Sequence, residues 1–178
     1  PFYRLGEQGI TFLSREEPEF PEKLRQIPDA PYSLYVKGTL PEPRQKAVAV
    51  VGARRCSAYG STVAEKIGKR LAECKAAVIS GMAQGIDGES HWGALKGAGR
   101  TYAILGCGVD ICYPRFQGKL YDNILNCGGI ISEYPPGTKP LPQLFPARNR
   151  IISGLSDVVV VVEAKGRSGS LITADYAL

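Results

Sequence analysis

The stretch AVAVVGARRCSAYG, residues 47–60, decides the fold. Its opening run is apolar without alternation, Gly52 ends it, and beyond a polar turn the apolar residues Val63, Ile67 and Leu71 recur four apart. A continuous apolar run fits a strand covered on both faces, as in a parallel sheet, and the spacing after it fits a helix lying on that sheet. Four more runs repeat the pattern downstream: Ala77–Gly81, Thr101–Gly106, Gly129–Glu133 and Val158–Glu163. Strand alternating with helix builds βαβ units. Their right-handed crossovers give an α/β fold, an extended Rossmann-like, doubly wound and mainly parallel sheet with helices on both faces. The strand order is open between 3-2-1-4-5 and 2-1-3-4-5. In both, the end of the first strand borders the point where the order reverses, and ligands bind there in such sheets.

Residues 1–46 read differently. They are rich in Pro and Glu, with two short β-like runs, Gly9–Leu13 and Ser33–Lys37, and a short helix expected over Glu19–Ile27. We expect an N-terminal extension packed on the core, with 47–178 as the Rossmann-like core. The chain starts at Pro1 and stops at Leu178 inside a helical pattern, so a piece of a longer protein, truncated at its C-terminal end, is expected.

Charge separates the two parts. Residues 1–46 carry seven basic and seven acidic side chains, so the whole net charge of +5 lies on 47–178. That balance permits a nucleic-acid partner without requiring one. No apolar run reaches the roughly 18–20 residues of a membrane span. The five cysteines are scattered and form no CxxC pair, which argues against structural zinc or a disulfide framework and fits a reducing cytoplasm.

The strand ends carry the chemistry. After the first come Gly52, Arg54 and Arg55, then a helix start whose free N–H groups attract anions; a solvated arginine pair is the plain alternative. The second ends in SGMAQGID, residues 80–87, with Gly81 and Gly85 freeing the turn and Asp87 expected as N-cap of the helix carrying His91. His91, the single histidine, is read as structural. The third ends in Gly106, followed by Tyr113-Pro114-Arg115-Phe116, where Arg115 suits a phosphate and Phe116 suits either base stacking or core packing. FPARNRIISGLS, residues 145–156, places Arg148 and Asn149 near a helix start, with Arg150 equally suited to a buried contact with carbonyls or Glu133. The last run leads into Arg167, Ser168 and Gly169, small residues opening a helix as an anion cradle. Neither GxGxxG nor GxxxxGK[ST] is present, so a dinucleotide cofactor and ATP hydrolysis are disfavoured.

In joint order and spacing, VGARRCSAYG, SGMAQGID, Gly106 with Gly108, Asp110, Tyr113 and Pro114, SEYPPG, FPARNRIISGLS and VVEAKGRSGSLITA closely resemble the bacterial DNA-processing protein A family (DprA, also called Smf). The resemblance covers nearly the whole chain. It implies an extended Rossmann fold that binds single-stranded DNA without sequence specificity and helps load the RecA recombinase in natural transformation. It further implies a homodimer with no cofactor and no catalytic turnover. Arg54 and Arg115 are then the main phosphate contacts, with the Gly52, Gly81 and Gly106 loops lining the same pocket. Where family members often show Asn after the Tyr-Pro pair, this chain has Gln117-Gly118. The rival is a nucleotide-binding protein or a nucleotide phosphoribohydrolase of a related fold. Such hydrolases carry PGGxGTxxE, whereas GRSGSLITAD stands here and Asp175 is the nearest carboxylate.

Overall fold

The computed structural model describes residues 4–164 and 168–177. Seven strands form one sheet: β1 (Ile10–Ser14), β2 (Ser33–Gly38), β3 (Ala47–Gly52), β4 (Ala77–Ser80), β5 (Thr101–Ile104), β6 (Gly129–Ser132) and β7 (Val158–Val162). Among the described residues six α-helices accompany them: α1 (Glu22–Arg25), α2 (Ala58–Glu73), α3 (Ile86–Lys96), α4 (Gly118–Cys127), α5 (Leu144–Gly154) and α6 (Gly169–Asp175). The expected helix over 19–27 shrinks to the four residues of α1, because Pro21 precedes it and Pro28 closes the segment.

The order across the sheet is β1-β2-β6-β5-β4-β3-β7, with β3 to β7 parallel and β1 and β2 antiparallel additions beside β6. Counted from β3, the parallel part runs 4-3-2-1-5, neither of the two orders considered. The difference lies in where the chain turns back. It winds one way through four strands, β3 to β6, and only then returns past β3 to form β7. The end of β3 still borders the reversal.

Successive residues of a strand face opposite sides, and the core divides accordingly. Ala47, Ala49 and Val51 of β3 pack with Leu24 of α1 and with Ile151, Ile152 and Leu155 of the α5 segment. On the other side Val50 packs with Ala64 of α2 and Ile86 and Ala94 of α3, while Ala103 and Ile130 meet Leu120 and Ile124 of α4. The helices after β3, β4 and β5 therefore share one face, and α5 crosses on the opposite one. A right-handed crossover running the other way along a sheet has to use the other face.

The first 46 residues enter the same core. Leu13, Phe20, Leu24, Leu34 and Val36 belong to the cluster under α5, and β2 pairs with β6 from Tyr35↔Ser132 to Gly38↔Gly129. Leu24→Ala should therefore lower the unfolding free energy by about 3 kcal/mol, the cost of a large-to-small change at a fully buried site. A urea titration should show that loss in a single transition with an unchanged slope.

Candidate functional site

At the carboxyl end of the sheet the crossover of α5 brings its first turn over the ends of β4 and β5. A cleft of about 380 Å³ opens there between Gly52, Arg54, Asp87, Arg148, Asn149 and the Ser168–Ser170 segment. A smaller hollow of about 110 Å³ adjoins it, walled by Gly81, Gly106, Tyr113 and Pro114. Arg54, Ala83, Phe145 and Arg148 belong to both walls. Phe145 is the centre of this junction. Its ring stacks on Tyr113 at 5.4 Å, with the guanidinium of Arg54 at 5.6 Å and that of Arg148 at 6.0 Å from its centroid.

Arg148 is 5 % exposed, yet no carboxylate lies within ion-pair distance among the described residues. Its Nη1 donates to the carbonyls of Gly81 (3.0 Å) and Ile104, and its Nε donates to Asn149 Oδ1 (3.2 Å). Burial lowers its pKa, and the charge of Asp87 works the other way. Nη2 carries no hydrogen bond among the described residues. Asn149 donates Nδ2 to Gly169 O at 3.1 Å, tying α5 to α6. Arg150 turns away, with both terminal nitrogens 2.7 Å from the Glu133 carboxylate and Nε donating to Asp29 O. The buried contact with a carbonyl and Glu133 considered for it in the sequence is the one observed.

Gly81 and Gly106 have a different reason from the one expected. A Cβ on Gly81 would lie 2.6 Å from the Arg148 guanidinium, and one on Gly106 would lie 2.9 Å from the Phe145 ring. These positions are glycine so that α5 can approach the strand ends, not so that a turn can bend. Backbone freedom is needed at Gly85, whose φ of +83° carries the chain into α3.

Two other expectations are corrected. Asp87 is not the N-cap of α3; that position is Gly85, and Asp87 lies within the first turn, 7 % exposed, with Oδ2 accepting from Gly81 N at 3.1 Å. The start of α2 already holds a carboxylate of the chain. The Glu163 carboxylate accepts from Ser57 N (2.9 Å) and Ser57 Oγ (2.8 Å), while Ser57 Oγ itself caps Gly60 N. In the cradle before α6, Ser168 Oγ likewise accepts from Ser170 N.

Of the other named residues, Arg55 is exposed on the turn after β3, outside both walls. Arg115 and Phe116 are exposed on a 3-10 turn directly after Pro114, and at 69 % exposure Phe116 is not core packing. Arg167 lies outside the described residues. Asp175, the carboxylate nearest the hydrolase pattern, is exposed and outside the cleft wall.

Comparison with known proteins accords with this arrangement. The family model for DNA recombination-mediator protein A matches residues 11–178. The chain belongs to this family. The DNA processing protein DprA of Streptococcus pneumoniae is 46% identical over 159 residues, 89% of this chain and 56% of that protein. An X-ray structure of DNA processing protein A from the same species has a TM-score of 0.90 at 43% identity, covering 99% of this chain and 63% of the other. DNA processing protein A from Helicobacter pylori, studied for its single-stranded DNA binding mode, has a TM-score of 0.82 at 30% identity, covering 94% and 75%. The chain spans about half the length of the curated relatives it matches.

Sequence reading missed Phe145 as the ring on which the arginines meet, although its FPARNR motif was in view. The contacts of Gln117, singled out there only as a departure, were not legible either. Its Nε2 donates to Met82 O (3.1 Å) and Ala83 O (3.0 Å), fixing the loop after β4 to the 3-10 turn.

His91 is structural. It is fully buried, with Nδ1 2.6 Å from Thr101 Oγ1 and Nε2 unpartnered, and burial pushes its pKa down to about 3. The folded protein keeps it neutral while the unfolded chain takes up a proton below about pH 6.5, so folding loses stability as pH falls through that window. Relative to His91→Asn, wild type should lose about 1.4 kcal/mol per pH unit between pH 6 and 4, measured by urea unfolding at each pH.

Proposed function

We propose that this cleft binds single-stranded DNA through its phosphates, without regard to sequence. The observation that carries the reading is the convergence of Arg54 and Arg148 on Phe145 at the switch point, with Arg115 and Phe116 exposed further along the loop that walls the smaller hollow. A guanidinium donates to phosphate oxygens, and phosphate contacts carry no base information. A row of phosphates uses both the cleft and the exposed loop; a single small anion uses the cleft alone. Aromatic rings stack on any base, which keeps the binding sequence-tolerant.

Family membership and the DNA-binding relative support this reading. We further propose that it acts as a binding protein instead of a catalyst, in the cytoplasm and as a homodimer that helps load RecA during DNA uptake. The cleft chemistry agrees: burial pushes the Cys107 thiol up to about 11, so it offers no thiolate at neutral pH.

Fluorescence anisotropy of labelled oligo-dT across a salt series tests the proposal. With three or four phosphates neutralised, log affinity should fall with log salt at a slope of about −2 to −3. Arg54→Ala should weaken binding on the order of 10- to 100-fold at low salt, the loss of one charge-assisted hydrogen bond. Unchanged binding in that variant would remove the cleft from the interface, and displacement of the strand by AMP would favour a nucleotide-binding role.

A further inference from the structure

One buried carboxylate sits in the wall of a cleft read as attracting phosphate. Asp87 borders the larger cavity and is 7 % exposed. A negative charge there opposes the entry of another, so its presence needs a physical reason.

The reason is Arg148. The two side chains hold opposite sides of Gly81: Asp87 Oδ2 accepts from its N–H at 3.1 Å, and Arg148 Nη1 donates to its carbonyl at 3.0 Å. They do not touch as an ion pair. Burial raises the pKa of Asp87 and lowers that of Arg148, and each charge works against the shift in the other. Arg54 adds a second positive charge that acts against Arg148. A buried guanidinium whose partners are mostly neutral oxygens needs a counter-charge nearby. Asp87 supplies it at a distance that leaves Nη2 unbonded.

We infer that Asp87 is the counter-charge of Arg148: it positions the guanidinium at the wall shared by the two cavities and offsets part of its pull on a phosphate. Arg54 is then the uncompensated charge that draws the strand in, and Asp87 is a positioning residue that limits how tightly the strand is held. The inference rests on the single-strand reading of the cleft.

The test compares oligo-dT binding by the full-length protein as wild type, Asp87→Asn, Arg148→Met and the double variant, in one anisotropy salt series. Thermal unfolding fixes the temperature at which each is folded. Removing the carboxylate frees one positive charge, so Asp87→Asn should bind tighter, about tenfold at low salt, with a slope steeper by about 0.7. Arg148→Met leaves the carboxylate uncancelled and should bind more weakly, with a slope shallower by about 0.7, and the double variant should return to the wild-type slope. A purely architectural role for Asp87 would weaken binding in both single variants and would not reverse the sign.

Asp87→Ser, which also removes the charge, replaces Asp87→Asn if the latter does not fold. If neither folds, Arg148→Met decides alone, and a wild-type slope in that variant overturns the inference. A slope unchanged or shallower in a folded Asp87 variant overturns it as well. Failure of wild type to bind any strand would instead remove the single-strand reading.

Discussion

The hand of the crossovers is the constraint on which the rest depends. Moving from β3 to β6, each right-handed connection lays its helix on the same face, so α2, α3 and α4 lie side by side there. The return to β7 reverses direction and has to use the opposite face, which leaves α5 as the one long crossover. Its amino end starts at the carboxyl edge of the sheet. Phe145 and Arg148 arrive over the ends of β4 and β5 for that reason, and Gly81 and Gly106 are the vacancies that let them in. The cleft is thus a consequence of winding order, not of any single loop.

Within α5, three consecutive residues go to three places. Each residue of a helix turns about 100° from the last, so Arg148, Asn149 and Arg150 fan out around the axis. Arg148 reaches the strand ends, Asn149 reaches Gly169 and Arg150 reaches Glu133 and Asp29. The two arginines are handled differently. Arg150 meets a carboxylate in two-point contact, a geometry that satisfies both charges and leaves nothing for a ligand. Arg148 rests on carbonyl oxygens, which solvate the charge without cancelling it. Identical side chains two positions apart are therefore an architectural strut and a candidate contact.

The sequence was legible where the signal is local. Continuous apolar runs placed all five parallel strands to within two residues, because burial on both faces leaves its mark on each residue in turn. Pairing across the sheet is not local, and the order 4-3-2-1-5 could not be read from the same runs. The site divides the same way. Arg54, Gly81, Gly106, Arg148, Asn149, Ser168 and Gly169 do line the two hollows, since strand ends are marked by their glycines and polar turns. The Glu163 carboxylate on Ser57 spans 106 positions, and nothing near either residue announces it. Asp87 misled in the opposite direction: an acidic residue near a helix start suggests a cap, but its carboxylate points back to the strand end instead.

The occupied helix start has a consequence for what the cleft can recognise. In many dinucleotide-binding sheets the helix after the first strand takes the phosphate on its free N–H groups. Here Glu163 and Ser57 already occupy that place, and the anion-attracting groups of the edge are side chains instead: Arg54 on its turn, Arg148 on α5 and Arg115 on the next loop. Main-chain donors at one helix start fix one phosphate in one orientation. Arginines from separate elements, two of them against a shared aromatic ring and one exposed on a loop, span more of the edge and fix no single geometry. That arrangement is matched to a repeating, flexible polyanion better than to a compact cofactor, and it follows from moving the positive charge off the helix and onto side chains.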